Sequence, residues 1–474
     1  MATVGTAFNI AQGALDADQA ALDIVANNTA NVNTPGYTLE VPIWDQNDTV
    51  SFNGLSFGTG VSMTGPQSQR SRVLEQAMQQ QTQEESGSSA RLDALSQMQA
   101  LFSGATGTSS SAASGIGTDL SNFFQTFAAL EASPADDALR QSVLSAAGTL
   151  TSDFNGAAGQ LASQKQSLNE ESGSVVQQAN TLLQNVAQLN LQIESQSPNA
   201  DGGSLEDQRQ QDLTSLSQLI GIRTVTTENN GLTVTTMGGA LLVSEGQTFQ
   251  MTSGMSGGVT HFFDSQGNDI TADLTSGGGQ LGGILTARDQ DIPQVATALD
   301  QLAYGVATAV NTQNAAGTDL NGNAGGAIFT LADGSPITSA TNLAAGIAVG
   351  MTDPAGIAAA SSGAGSSSDT NAVAMAALES SGIVNGISPT DAFSDMVTSL
   401  GSLTSEVTSE NTAQQAGLTQ LQNQIGSLSG VNLNDEAASL ETLEQSYQAA
   451  SKLFTVLADV ISTALNLGVD TAVS

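Results

Sequence analysis

The side chains best able to do chemistry are few in this sequence, and their spacing does not suit it. A single histidine, His261, occurs in 474 residues, so one chain cannot assemble a histidine-based metal cluster or a nucleophile triad that relies on His. It reads as a strand residue. Cysteine is absent, which removes disulfides and thiolate ligands together. Asp319, Asn321 and Asn323 have the alternate spacing of a calcium loop, but Ala324 replaces the glycine that such a loop needs and Thr330 its bidentate glutamate. That stretch reads as a polar turn. The glycines between Gly277 and Gly283 lack the lysine and hydroxyl residue of a phosphate loop, and no GxGxxG follows a convincing strand. With 45 acidic residues, carboxylate pairs carry no meaning before their geometry is known. No catalytic, cofactor-binding or metal-ligating residue is nominated, and a non-enzymatic protein is expected.

Composition narrows the partners. The net charge is -36, from 45 acidic against 9 basic residues, and this argues against nucleic acid or an anionic membrane surface. At low pH the neutralised carboxylates would leave few charges to repel one another, a pattern that suits acidic surroundings. Charged residues are only 11% and aromatics 4% of the chain, so long helices packing through small residues are expected rather than one deep core. No apolar run reaches the roughly 18 residues of a membrane span. The N-terminus lacks the basic flank and apolar stretch of a secretory signal, and by composition alone the chain would be placed in the cytoplasm.

What the sequence does supply is helical surface at its two ends. Leu440, Leu443, Tyr447, Ala450, Phe454, Leu457, Ile461 and Ala464 alternate steps of three and four, one apolar seam of coiled-coil type. Asn434 suits an N-cap, with Asp435 and Glu436 in the first turn. Phe8, Ala11, Leu15, Leu22, Val25 and Thr29 repeat the same spacing at the other end, interrupted by Asp18. Each seam needs a partner, since every large apolar side chain left in water forfeits about 1.5–3 kcal/mol. The first helix stops in NNTANVNTPGY, residues 27–37, where Pro35-Gly36 cannot continue it.

Between the ends the period changes several times. Residues 1–66 read as the N-terminal assembly helix and an extended or hairpin-like connector, and 67–222 as the outgoing half of a helical rod domain with a flexible Gly/Ser/Thr tract at 103–118. Within that half, Ala147, Phe154, Leu161, Leu168, Val175, Leu182 and Leu189 repeat every seven residues, which predicts a helix of about 60 residues and about 90 Å. Gly148, Gly156, Gly159 and Gly173 could break it locally. Residues 223–280 switch to period two around Asn230-Gly231 and read as a small β-rich outer domain. Helix returns at 281–317, 318–370 is a Gly/Ala/Ser-rich insertion, 371–429 is the last part of the helical domain, and 430–474 is the C-terminal assembly helix. The expected fold is mainly α: an elongated bundle of long helices with paired N- and C-terminal coiled-coil helices and small inserted β-rich outer domains.

Four stretches also carry a resemblance. ALDADQAALDIVANNTANVNTPGY resembles the N-terminal signature of bacterial flagellar rod, hook and hook-associated proteins, and GVNLNDEAASLETLEQSYQAASKLF resembles their C-terminal signature. LEDQRQQDLTSLSQLIGI, residues 205–222, and GGILTARDQDIPQ are similar to the FlgK family of hook-associated proteins rather than to hook or rod subunits. The resemblance implies a structural role at the junction of hook and filament, through stacking of terminal helices. The alternatives are another axial protein, such as a hook or rod subunit, or a coiled-coil surface adhesin. Implied partners are copies of itself in a ring or tube, hook protein below, the next junction protein above, and a cytoplasmic export chaperone on the C-terminal helix, with no nucleic acid and no membrane insertion. Location would be extracellular, in the flagellum, reached without a cleaved signal peptide. The expected assembly contacts are Phe8, Ala11, Leu15, Leu22, Val25, Asn28, Asn31, Leu440, Leu443, Tyr447, Ala450, Phe454, Leu457 and Ile461, with Leu15, Leu22 and Val25 facing Leu443, Phe454, Leu457 and Ile461. Thr29, where the family has a bulky aliphatic residue, and Leu39-Glu40, where a basic residue is common, depart from the pattern.

Overall fold

The structure, a computed structural model, describes residues 2–52, 55–102, 112–195, 203–227 and 230–470. Helix α1 (Ala2–Asn31) ends in a turn where Thr34 N donates to Asn31 O and Gly36 takes a φ of 79°, a left-handed conformation that favours glycine. Two nested hairpins follow. β1 (Glu40–Gln46) pairs antiparallel with β4 (Val61–Ser68), and between them β2 (Val50–Phe52) pairs with β3 (Leu55–Phe57).

The body is built on α2 (Arg72–Phe102), α3 (Ala112–Glu131), α4 (Asp137–Glu194) and α5 (Gly203–Leu219). Most of the Gly/Ser/Thr tract expected at 103–118 lies outside the described residues, and α3 begins within its end. Asp136 starts α4 by accepting hydrogen bonds from Ala138 N and Leu139 N, a side-chain N-cap. The helix then runs unbroken for 58 residues, about 87 Å at 1.5 Å per residue. Its glycines interrupt nothing, because burial of the heptad positions Ala147, Phe154, Leu161, Leu168 and Val175 outweighs their weak helix propensity. Phe123 of α3 lies within 5.5 Å, centroid to centroid, of Phe124, Phe127 and Phe329. This aromatic group anchors the core.

Strands β5 (Ile222–Thr226), β6 (Leu232–Thr236), β7 (Leu241–Ser244) and β8 (Gln247–Thr248) form an antiparallel sheet in sequence order, and β9 (Thr252–Ser256) pairs with β10 (Val259–Phe263). The chain returns through α6 (Thr271–Gly277), α7 (Gly279–Thr286), a π turn at Ala287–Asp291 and α8 (Ile292–Ala316). The boundary expected at 280 falls inside α7. That helix crosses α2 so closely that a Cβ on Gly283 would collide with the Gly87 carbonyl oxygen. In the π turn, Asp291 accepts a two-pronged bond from Arg91 at 2.8 and 2.9 Å, and the fully buried Arg288 binds Asp289, Asn169 Oδ1 and Thr260 O. GGILTARDQDIPQ is therefore a packing motif.

Residues 317–370 hold β11 (Gly317–Thr318), β12 (Phe329–Leu331), α9 (Leu343–Gly346), β13 (Ile347–Val349) and β14 (Ala360–Ser361), paired β11 with β14 and β12 with β13. Asp319 Oδ1 accepts from Asn321 N and Asn323 N, closing the polar turn. Helices α10 (Thr370–Ala376), α11 (Pro389–Ser429) and α12 (Leu433–Asp470) complete the chain, with α11 packed along α2 and α12 along α1. No helix among the described residues is long and apolar enough to cross a membrane.

Candidate assembly surface

Asn28 meets Glu436 near the inner end of the terminal pair, and Phe8 stacks on Phe454 farther out, with ring centroids 4.4 Å apart. These two contacts make α1 and α12 antiparallel. Phe454 thus pairs with Phe8 instead of the more distant Leu15, and Leu457 and Ile461 stand level with the first turns of α1. Along α1, Ala11 and Val25 are buried, Phe8, Leu15 and Leu22 are half-buried, and Thr29 is exposed, its hydroxyl bonded back to Val25 O. Along α12, Leu443, Ala450, Phe454, Leu457 and Ile461 are half-buried, while Leu440 and Tyr447 remain 40% and 37% exposed. The pair leaves a second apolar stripe open, comprising Leu453, Val456 and Val460. Asp18, which interrupts the seam, is buried, with Oδ2 lacking any hydrogen-bond partner among the described residues.

The asparagines of the first signature act as a knot. Asn28 is 1% exposed. Its Nδ2 donates to Glu40 O and Glu436 Oε2, and its Oδ1 accepts from Tyr37 Oη and Glu40 N, at 2.8 to 3.3 Å. One side chain thereby joins α1, the turn, β1 and α12, and satisfies every polar atom it carries. Burial raises the Tyr37 phenol well above its ordinary range, helped by the carboxylates of Glu40, Asp207 and Glu436. Asn31 caps its own helix locally, through Asn27 O and Oδ1.

A second network ties this end to the body. Asp207 of α5 accepts from Thr38 N at 3.0 Å, Thr38 Oγ1 at 2.7 Å and Arg70 Nη2 at 2.7 Å. Arg70 also lies within ion-pair distance of Glu206 and Glu75. Burial raises Glu75 above the usual carboxylate range, against the lowering influence of Arg70. Arg209, pulled down to about 10 by burial, donates to Asn190 Oδ1 and Asn230 O. Leu39 N donates to Ser429 O across the chain's two passages, and a 580 Å³ cleft opens beside it, lined by Tyr37, Glu75, Asp207 and Gln422 among others.

A family model of the flagellar hook-associated protein FlgK helical domain matches residues 95–329, and one of the flagella basal body rod protein matches residues 8–38. The chain belongs to the FlgK family. It is 27% identical to flagellar hook-associated protein 1 of Escherichia coli strain K12, over 97% of this chain and 99% of that protein, and 24% identical to the Bacillus subtilis protein of the same name, over 96% and 97%. The flagellar hook junction protein FlgK from Burkholderia pseudomallei has the same fold, with a TM-score of 0.64 at 20% identity, over 75% of this chain and 99% of that one. As a FlgK-family member the protein is a structural component of the flagellum, at the hook-filament junction.

Sequence reasoning found the seams and the signature asparagines but missed Thr38, Arg70 and Asp207. A usable signal existed. With only seven arginines and two lysines among 474 residues, each arginine is a candidate anchor, and Arg70, Arg91, Arg140, Arg209 and Arg288 all hold buried or half-buried partners. His261 lies on β10, partly exposed, with Nδ1 2.8 Å from Asp269 Oδ2.

Proposed function

We propose that the α1–α12 pair is the surface through which copies of this chain stack into a ring or tube, so that the junction forms without any catalytic step. One observation carries the reading: the two antiparallel helices from the chain's opposite ends are apolar toward each other, and α12 is also apolar outward, with Leu453, Val456 and Val460 about half exposed. Burying such side chains contributes about 1.5–3 kcal/mol each, and a second copy supplies that burial. The Asn28 and Asp207 networks then transmit the position of the pair to the body. Hook protein below and the next junction protein above are the neighbours this role requires. An export chaperone covering α12 before assembly, and passage through the flagellum without a cleaved signal, belong to the same reading. Electron microscopy of cells lacking the protein tests it: hooks without filaments are expected, and filaments of normal length would overturn it.

A further inference from the structure

Basic side chains are scarce enough here for each to be accounted for. The terminal pair carries three carboxylates on α1 (Asp16, Asp18, Asp23), six on α12 (Asp435, Glu436, Glu441, Glu444, Asp459, Asp470), and one cationic side chain, Lys452. Lys452 is exposed and forms no ion pair among the described residues. Its helical neighbours three and four positions away are Gln448, Ala449, Thr455 and Val456, none charged. The antiparallel register sets it level with the part of α1 before Asp16, which has no charged side chain. The nearest carboxylates on α12 are Asp459 and Glu444, seven and eight positions off, about 10 to 12 Å along the axis. No ion-pair partner among the described residues serves the ammonium, although the terminal pair as a whole is acidic.

The partner must come from outside, and the apolar residues beside Lys452 show how it seats: Leu453, Val456 and Val460 are 50%, 58% and 47% exposed. On the outer face of α1, Asp16 and Asp23 are both exposed, seven residues apart, so they lie on one side of the helix. Two α1 faces brought together would present carboxylates only to each other. An α12 face meeting an α1 face opposes the one cation to two carboxylates, and a contact between unlike faces repeats around a ring. We propose that Lys452 pairs across the subunit boundary with Asp16 or Asp23 of a second copy, fixing a head-to-tail order of α12 onto α1. The inference rests on the α1–α12 pair being the assembly surface. Such a pair sets register and partner choice more than affinity.

Cells whose only copy of the protein is a variant provide the test, with filaments per cell counted by electron microscopy and secretion and melting temperature checked alongside. Lys452→Glu is expected to cut filament number at least tenfold while the purified chain melts as before, because the side chain is exposed. Asp16→Lys with Asp23→Lys should do the same. Co-expression of the two variants should restore filaments, since an alternating ring rebuilds both charge pairs. Normal filament number with Lys452→Glu, in cells where Leu443→Asp abolishes filaments, overturns the pairing and leaves the assembly surface standing. Normal filaments with both substitutions overturn the assembly surface itself. Loss with Lys452→Glu that co-expression does not restore also overturns the pairing.

Discussion

The long body helix and the terminal pair are written with the same seven-residue grammar, yet they end in different states. Along α4, which packs on α3, α5, α7 and α8, Phe154 and Leu161 are each 1% exposed. Along α12, Tyr447 and Leu440 stay more than a third exposed, and no large apolar residue of the seam is fully buried. The body satisfies its apolar surface within one chain, whereas the ends bury only part of theirs. An apolar stripe states a need for burial, and the number of neighbours within reach decides whether one chain can meet it.

The largest test of that contrast compares two phenylalanines. Phe154→Ala should destabilise the monomer by about 3–5 kcal/mol, read as a lowered melting temperature. Phe454→Ala should cost less, about 1–2 kcal/mol, because its ring is only partly buried, against Phe8 of a single neighbouring helix. Equal losses would mean that the terminal pair is as closed as the body.

A smaller effect is expected at the knot between the two regions. Asn28→Leu strips partners from Tyr37 Oη and Glu40 N, which should cost about 1–3 kcal/mol. Amide exchange should speed up across residues 32–40 while α4 stays protected. Faster exchange along α4 would show that the knot supports the body too.

Next comes pH. Asp153 of α4 is pushed up to about 7, first by burial and then by its hydrogen bond and repulsion with Asp119 of α3. A carboxyl whose pKa is higher in the folded than in the unfolded state stabilises the fold most below the unfolded value of about 3.9, and that contribution fades as pH rises through 7. Thermal melts from pH 4 to pH 8 should therefore show α3 and α4 loosening as pH rises, with a shallower slope in Asp119→Asn. An unchanged slope would place the titration elsewhere.

The smallest effect belongs to the glycines. Gly159 is exposed on α4, with nothing near where a Cβ would stand. Gly159→Ala should add about 0.5–1 kcal/mol to stability, seen as a higher melting temperature. Gly36→Ala should do the reverse, since its φ is 79° and a Cβ there would strike the Gln211 side chain.

The sequence by itself determined the helices, the approximate length of α4, the β-rich insertion and the membership of the two terminal signatures, because periodicity and turn chemistry are local properties of neighbouring residues. It also excluded histidine clusters and thiolate sites by composition. Tertiary structure alone decided that the terminal helices run antiparallel with Phe8 on Phe454, and that Asn28 joins four segments. Only the fold could bring Thr38 and Arg70 to Asp207, 169 and 137 residues away in the chain. Nor could spacing show that α7 crosses α2 through Gly87 and Gly283. Such contacts arise from how distant surfaces fit after folding, and a repeat of three and four residues specifies a face without specifying what will lie against it.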